Sequence, residues 1–444
     1  MPGVSVLLVL LPLILATLVA GFRAPMQVLL PLYALTVPLG STFSVPGLPP
    51  EFGSGSSLVG LTLTGALAVR LLLIPSSRQL PGLPTGVWLS LLALAVCSTV
   101  WSISTATTVT ALQVLTSLVL LYGLVAMSQA GLAVRKRLEL ALVTGGVAVS
   151  LWGILQTLTN SLPTSEASGP RFGRDLLGPN HTAAALLLPL AIALSRLEWA
   201  RTARGRVAYG ASVAALVAAI TLSGSRGGLV GAGMTFLVFA VFSRRPRLLL
   251  LSGAVVAAVV GGVIVADPGG IGSRQLREGS SGRTDIWQVG LTACRRDCPL
   301  GTGWGTFGVV YERTQSSVPT AKVLRRGTTY EPHNIFLLLA IEAGVTGLVL
   351  LLAGLVLTAR QAWKLPAHLR APPLAALAGL VTSGFFLSNF EFKYFWMTLI
   401  YVTVVNTVHR SSLAPQLTAA VPEHVTAGTG TQPTASATDA LTSV

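Results

Sequence analysis

Charge is what this sequence has least of. Asp, Glu, Lys and Arg make up only 10% of its 444 residues, whereas a soluble domain carries roughly a quarter. Acids are scarcer still, 15 against 30 basic residues, for a formal net charge of +15. With 52% apolar residues and a mean hydropathy of +0.72, the chain cannot keep its surface in water, so its solvent must be lipid. Reading length as a number of soluble domains therefore does not apply. Cysteine is nearly absent, and three residues exclude a disulfide scaffold. Cys97 lies inside an apolar run. Cys294 and Cys298 stand four apart, near the upper limit of disulfide reach on a helix, so a local bridge and two free thiols both stay open. No basic tail or continuous basic face exists. The cations fall in short clusters between apolar runs, which excludes a nucleic-acid partner. No internal repeat is evident, which weighs against the inverted halves of a transporter. No Lys or Arg precedes the run Met1–Gly21, and another run follows directly after Arg23, so this segment reads as a retained first span rather than a cleaved signal.

What is present is a succession of apolar runs near 4–21, 24–40, 58–75, 86–101, 108–129, 138–158, 182–196, 207–223, 227–242, 248–266, 333–358, 372–389 and 391–409. Several fall short of the ~20 residues that cross a bilayer as a helix. The expected fold is an all-α integral membrane protein, a bundle of 12–13 transmembrane helices with one long extracytoplasmic loop that contains an amphipathic helix. The chain divides into N-terminal spans over 1–266, the loop at 267–332, C-terminal spans over 333–410 and a tail at 411–444. The tail, rich in Thr, Ala, Pro and Gly, is expected to be disordered. Trp88, Trp101, Trp199 and Trp363 fall near span ends, as an interfacial aromatic belt requires.

Orientation follows from the short loops. Those containing Arg23, Arg70, Arg135–Arg137, Arg196–Arg206, Arg244–Arg247, Arg360–Arg370 and their neighbours hold 17 basic residues, and the alternate set holds four. The first set is therefore cytoplasmic, with the tail, and 267–332 faces outward.

The outward face carries the chemistry. Thr284 and Asp285 suit a helix N-terminus, and Trp287, Leu291, Cys294 and Cys298 recur at helical spacing up to Pro299. This amphipathic helix is expected to lie on the outer headgroup layer, in contact with membrane lipids. The glycine-dense Leu300–Phe307 lacks the strand and acid of a nucleotide loop and reads as backbone that bends sharply and admits a ligand. His333 stands where water meets lipid. Ile335 opens a long helix in which Glu342 lies nine residues beyond His333, about 13 Å deeper, and should face the bundle interior. Arg226 sits in the tight turn Ser223–Gly228, Arg171 and Arg174 lie just before Asn180 and His181, and Arg283 precedes the amphipathic helix. Outer arginines with few outer carboxylates suit a phosphate or diphosphate ester, which guanidinium forks bind bidentately. No nucleotide pool exists outside the cell, so a transferase there needs a donor that arrives activated, and a lipid-linked sugar meets that need.

These residues resemble the O-antigen ligase and polymerase family. The likeness lies in Ser281–Trp287, in Pro299–Phe307, in His333-Asn334 followed by Glu342–Gly347, and in Ser225-Arg226-Gly227 at the head of a span. Order, spacing and loop placement agree over about 220–350; elsewhere the resemblance is architectural. It implies a membrane glycosyltransferase that moves a glycan from undecaprenyl diphosphate to an acceptor hydroxyl on a lipid, polysaccharide or protein. Arg226 and Arg283 match the family's diphosphate-binding arginines, and His333 matches its general base. Arg171, Arg174, Asn180, Asp285, Asn334 and Glu342 are the further candidates for substrate binding. No metal and no cofactor are implied, since the loop has no paired Asp to hold a cation. Only one loop helix is expected, fewer than in members with larger loops, which leaves polymerase and protein O-oligosaccharyltransferase as rivals. The rival of another class is a secondary transporter or flippase, and the single acid placed well inside a span, Glu342, argues against it.

Topology is testable directly. Labelling from outside intact cells should modify Ser316→Cys and spare Ser411→Cys, and the reverse pattern would overturn the orientation and every site assignment built on it.

Overall fold

The structure is a computed structural model that describes residues 19–40, 53–164, 170–266, 270, 283–318 and 331–419. Most of the first apolar run, part of the 267–332 loop and the tail beyond 419 lie outside these residues. The described chain is built from helices: α1 Leu29–Thr36, α2 Gly55–Leu73, α3 Leu83–Cys97, α4 Thr105–Met127, α5 Leu132–Leu158, α6 Pro179–Ala185, α7 Leu187–Trp199, α8 Ala203–Leu222, α9 Arg226–Phe242, α10 Pro246–Ala266, α11 Arg283–Asp297, α12 Phe307–Thr314, α13 Ile335–Glu342, α14 Gly344–Trp363, α15 Ala367–Gly384 and α16 Lys393–Ala419. Each apolar run within the described residues falls on one or two of these helices. Seven membrane-length segments result, two of them joined from adjoining helices, over 55–73, 83–100, 105–127, 132–158, 179–199, 203–222 and 344–363. The chain is a multi-pass membrane protein.

Helix ends sort into two faces. On the predicted cytoplasmic face, Arg70 donates to the Arg23 carbonyl at 2.8 Å, Gln79 N–H to Met127 at 2.8 Å, and Arg196 to Glu139 at 2.5 Å. On the other face, the Lys393 ammonium donates to the hydroxyls of Ser54, Ser56 and Ser57 at 2.7–2.9 Å, and Ile103 N–H donates to Thr302 at 3.0 Å. Small residues set the helix spacing, as they must where lipid offers no hydrophobic drive for association. A Cβ on Gly145 would lie 2.5 Å from the Leu35 carbonyl oxygen, and one on Gly231 3.3 Å from that of Gly379.

Four features depart from the sequence expectation. The helix expected from Ile335 onward is broken at Ala343-Gly344 into α13 and α14, so Glu342, buried as expected, ends a short helix rather than lying within a continuous one. The loop holds two helices, α11 and α12. Helix α11 is docked on protein as well as facing outward: Ile286, Val289 and Ala293 are buried with Tyr311 and Ile341. Helix α16 runs to Ala419, past the boundary expected at 410. Cys294 and Cys298 form a disulfide with Cα atoms 4.6 Å apart, and Cys97 is free.

The break in α13–α14 is made by a reciprocal fit. Val345 N–H donates to Cys298 at 2.8 Å, Thr302 N–H to Ile341 at 2.9 Å and Gly303 N–H to Glu342 at 3.0 Å. The Glu342 carboxylate, 3% exposed, accepts from Phe307 N–H at 3.0 Å. Backbone groups released by the break thus find partners in the glycine segment, as a low-dielectric interior demands. Gly301 and Gly344 adopt φ +87° and +70°, and a Cβ on either would meet the other segment's backbone at 2.6 Å. Gly301→Ala and Gly344→Ala should therefore each cost at least ~1–3 kcal/mol, read as earlier thermal unfolding in detergent. Gly308→Ala, in α12 with nothing within 4 Å of its Cβ, should unfold no earlier than the parent.

Candidate functional site

Arg226 is placed by its turn. Ser225 caps α9, accepting from Gly228 N–H at 3.1 Å, and its own N–H donates to the Ser223 hydroxyl at 3.1 Å. Gly224 takes φ +63°, and Gly227 and Gly228 have no room for a Cβ beside Phe386 and Ala183. The turn is thus wedged between α6 and the α15–α16 connection. Arg171 braces it from the third side: Nε donates to the Ser223 carbonyl at 2.9 Å and an Nη to Asn180 Oδ1 at 3.1 Å. Arg171 and Asn180 therefore position the Arg226 turn. Arg174 is half-buried on the neighbouring turn, where Phe172 packs on Gly153 and Gly173 on Thr182.

Helix α11 positions two further groups. Arg283 opens it, half-buried, with Asp285 in the same first turn. Trp287 Nε1 donates to the Pro332 carbonyl at 2.7 Å, which ties the residue preceding His333 to this helix. His333 sits at φ +47°, a left-handed conformation that a residue with a Cβ adopts only under constraint. The constraint is Asn334, whose Oδ1 accepts from Phe336 and Leu337 N–H at 3.0 Å each and so starts α13. Asn334, expected as a substrate contact, has a capping task. Glu342, expected likewise, holds the glycine segment.

Electrostatics bring these residues into one cluster. Burial, and then the positive field of Arg226, lower the Arg283 pKa, so the two guanidiniums share a neighbourhood. Burial and the Arg283 charge push His333 down to about 4, which leaves its imidazole neutral at pH 7. Its Nδ1 is buried with no hydrogen-bond partner among the described residues. His181 lies within electrostatic reach of His333 and Arg283; it stacks on Phe392 with centroids 3.7 Å apart and pairs with the Tyr394 hydroxyl at 2.9 Å. The arrangement is two adjacent cations beside a neutral base, which suits a polyanion whose charge grows while a proton is removed nearby.

One residue near this cluster went unmarked in the sequence. Glu391, in the α15–α16 connection, accepts from Trp304 Nε1 at 2.6 Å and is pushed up to about 7, chiefly by burial, with the Trp304 bond opposing and the Glu331 charge assisting. Trp304 N–H in turn donates to Ser98 at 3.1 Å. The available signal was an acid between two phenylalanines, Phe390-Glu391-Phe392, interrupting an apolar run. Arg295 and Arg296 lie away from the cluster, and Arg296 forms an exposed pair with Asp297 at 2.7 Å.

Residues 211–352 match the family model described as O-antigen ligase. No curated protein matches the chain. The matched stretch takes in Arg226, Arg283, His333 and Glu342, and leaves Arg171, Arg174, Asn180 and Glu391 outside it. This stretch, about a third of the chain, is thus similar to the O-antigen ligase family, and it carries both cationic groups and the histidine of the cluster.

Proposed function

We propose that this protein, a membrane glycosyltransferase at the level of its family, transfers a glycan from undecaprenyl diphosphate to an acceptor hydroxyl on the outer face of the cytoplasmic membrane. The observation that carries the reading is the pair Arg226 and Arg283 beside a neutral, conformationally constrained His333. The acceptor O–H attacks the anomeric carbon, and the bond from that carbon to the diphosphate oxygen breaks. The bonding pair leaves with the diphosphate, where the two guanidiniums meet the added charge, the task a divalent cation performs elsewhere. The acceptor proton passes to the His333 imidazole. Attack opposite the departing group inverts the anomeric centre. Arg171 and Asn180 keep the Arg226 turn in register, and membrane lipids present the donor at the depth of that turn.

A glycan polymerase or protein O-oligosaccharyltransferase would use the same donor side, so these readings differ from ligase activity only in the acceptor. A transporter or flippase is less well supported, because Glu342 is engaged by backbone N–H groups and is not presented to a pathway.

Arg→Lys keeps the charge and loses the planar fork. Arg226→Lys and Arg283→Lys, shown folded by gel filtration, should each lower transfer in EDTA-containing membranes by about 10²–10³. Near-parental transfer by both would remove the arginines from the chemistry. Folded His333→Ala should bind donor almost normally and turn over about 10²–10⁴ more slowly.

The pH profile tells the candidate bases apart. A base works deprotonated, and a lowered pKa keeps His333 in that form well below pH 6.5. The acid limb of kcat/KM, which reports the free enzyme, should therefore fall nearer pH 4 than 6.5. A limb near 7 would point to Glu391 instead.

A further inference from the structure

The face of the bundle opposite the cluster carries a second organised cationic site. Helix α9 separates the two, with Arg226 at its head and Arg244 just past its end, about 27 Å apart by helical rise. Between the start of α5, the end of α7, the α9–α10 link and the start of α15 lies a cavity of ≈ 420 Å³. Arg135, Lys136, Arg196, Arg244 and His368 line it. Its floor is Glu139, 4% exposed, which accepts from Arg135 Nε at 2.7 Å and from an Arg196 Nη at 2.5 Å, with the Tyr401 hydroxyl at 3.3 Å.

This is a built site, not a scatter of surface charge. One buried carboxylate fixes two guanidiniums, each of which keeps further N–H donors, and four cations face one acid. Lys136 and Arg244 are exposed at the rim, and His368 lies within electrostatic reach of Arg135 and Arg244. Such a surplus of fixed donors around a concavity fits a phosphate group.

Apolar residues at the same rim identify what the phosphate is attached to. Leu132 and Trp199 line the cavity and are 53% and 46% exposed, and Leu140, about two turns beyond Leu132 on α5, is 62% exposed. An exposed tryptophan and leucines at the end of spanning helices belong at the level where headgroups meet acyl chains. The cavity thus opens toward lipid while its donors point at headgroup depth.

We infer that the Arg135–Lys136–Arg196–Arg244 cavity is a binding site for the headgroup phosphate of an anionic phospholipid of the cytoplasmic leaflet. The inference stands apart from the transfer reaction, since it uses none of the residues assigned to it and its test reads no activity.

The full-length protein in a neutral detergent is titrated with short-chain phosphatidylglycerol, with phosphatidylcholine of the same chains, and with inorganic phosphate, and thermal unfolding is followed. Phosphatidylglycerol alone should raise Tm saturably. Arg135 and Arg196 neutralise a buried acid, so the variants are made at the exposed rim. Lys136→Gln and Arg244→Gln should each weaken the midpoint roughly fivefold, and the pair on the order of 25-fold, as expected for about 1 kcal/mol per cation. Arg204→Gln, an exposed cation on α8 of the same face, should leave it unchanged. An equal shift with phosphatidylcholine, a shift reproduced by inorganic phosphate, or a midpoint unmoved in the rim variants would each overturn the proposal. Should the double variant not fold, the single variants decide it.

Discussion

One buried carboxylate fixes the glycine segment and the helix break on which the loop side of the cluster is built. Glu342 closes α13 where the backbone turns out of helical geometry, and its side chain accepts the Phe307 N–H while its carbonyl accepts from Gly303. Inside a membrane an interrupted helix is tolerable only if the freed groups are satisfied by protein. Here the interruption and the glycine segment satisfy each other, and neither would be stable alone. Through Trp304 the same segment reaches Ser98 at the end of α3 and Glu391 before α16. A loop that crosses between distant spans is thereby bolted to three of them.

That bolt explains how a site assembled from loops attains fixed geometry. Arg283 and His333 are far apart in sequence and both are held by α11, which packs on α13 and α12. Arg226 comes from another turn, wedged by glycines and braced by Arg171. Burial first, and the neighbouring positive charge second, disfavour the charged forms of Arg283 and His333 in the resting protein. An anion bound between the two guanidiniums would offset that cost. Charge is handled differently on the opposite face, where buried Glu139 offsets two of the arginines and leaves the rim cations to solvent and headgroups.

Much of this was legible in the sequence, because lipid imposes a severe composition. Spans announce themselves as apolar runs, loops sort by Lys and Arg, and Arg226, Arg283 and His333 stood out as polar residues set in short motifs at span boundaries. The disulfide stayed open because spacing permits a bond without requiring it. Asn334 and Glu342 were marked as polar and interfacial, but a polar residue that contacts substrate and one that caps backbone look alike in a linear string.

What the sequence determined by itself is the solvent, the all-helical class and the positions of the apolar runs that become helices among the described residues. Those follow from transfer energies that depend on composition alone. The tertiary structure decided the break after Glu342, the docking of α11 on protein, the entry of Glu391 beside the cluster, and the gathering of four cations around Glu139 on the opposite face. Each of these turns on which distant backbone N–H or carboxylate a group meets, and hydrogen-bond partners separated by dozens to hundreds of residues leave no periodicity for a sequence to display.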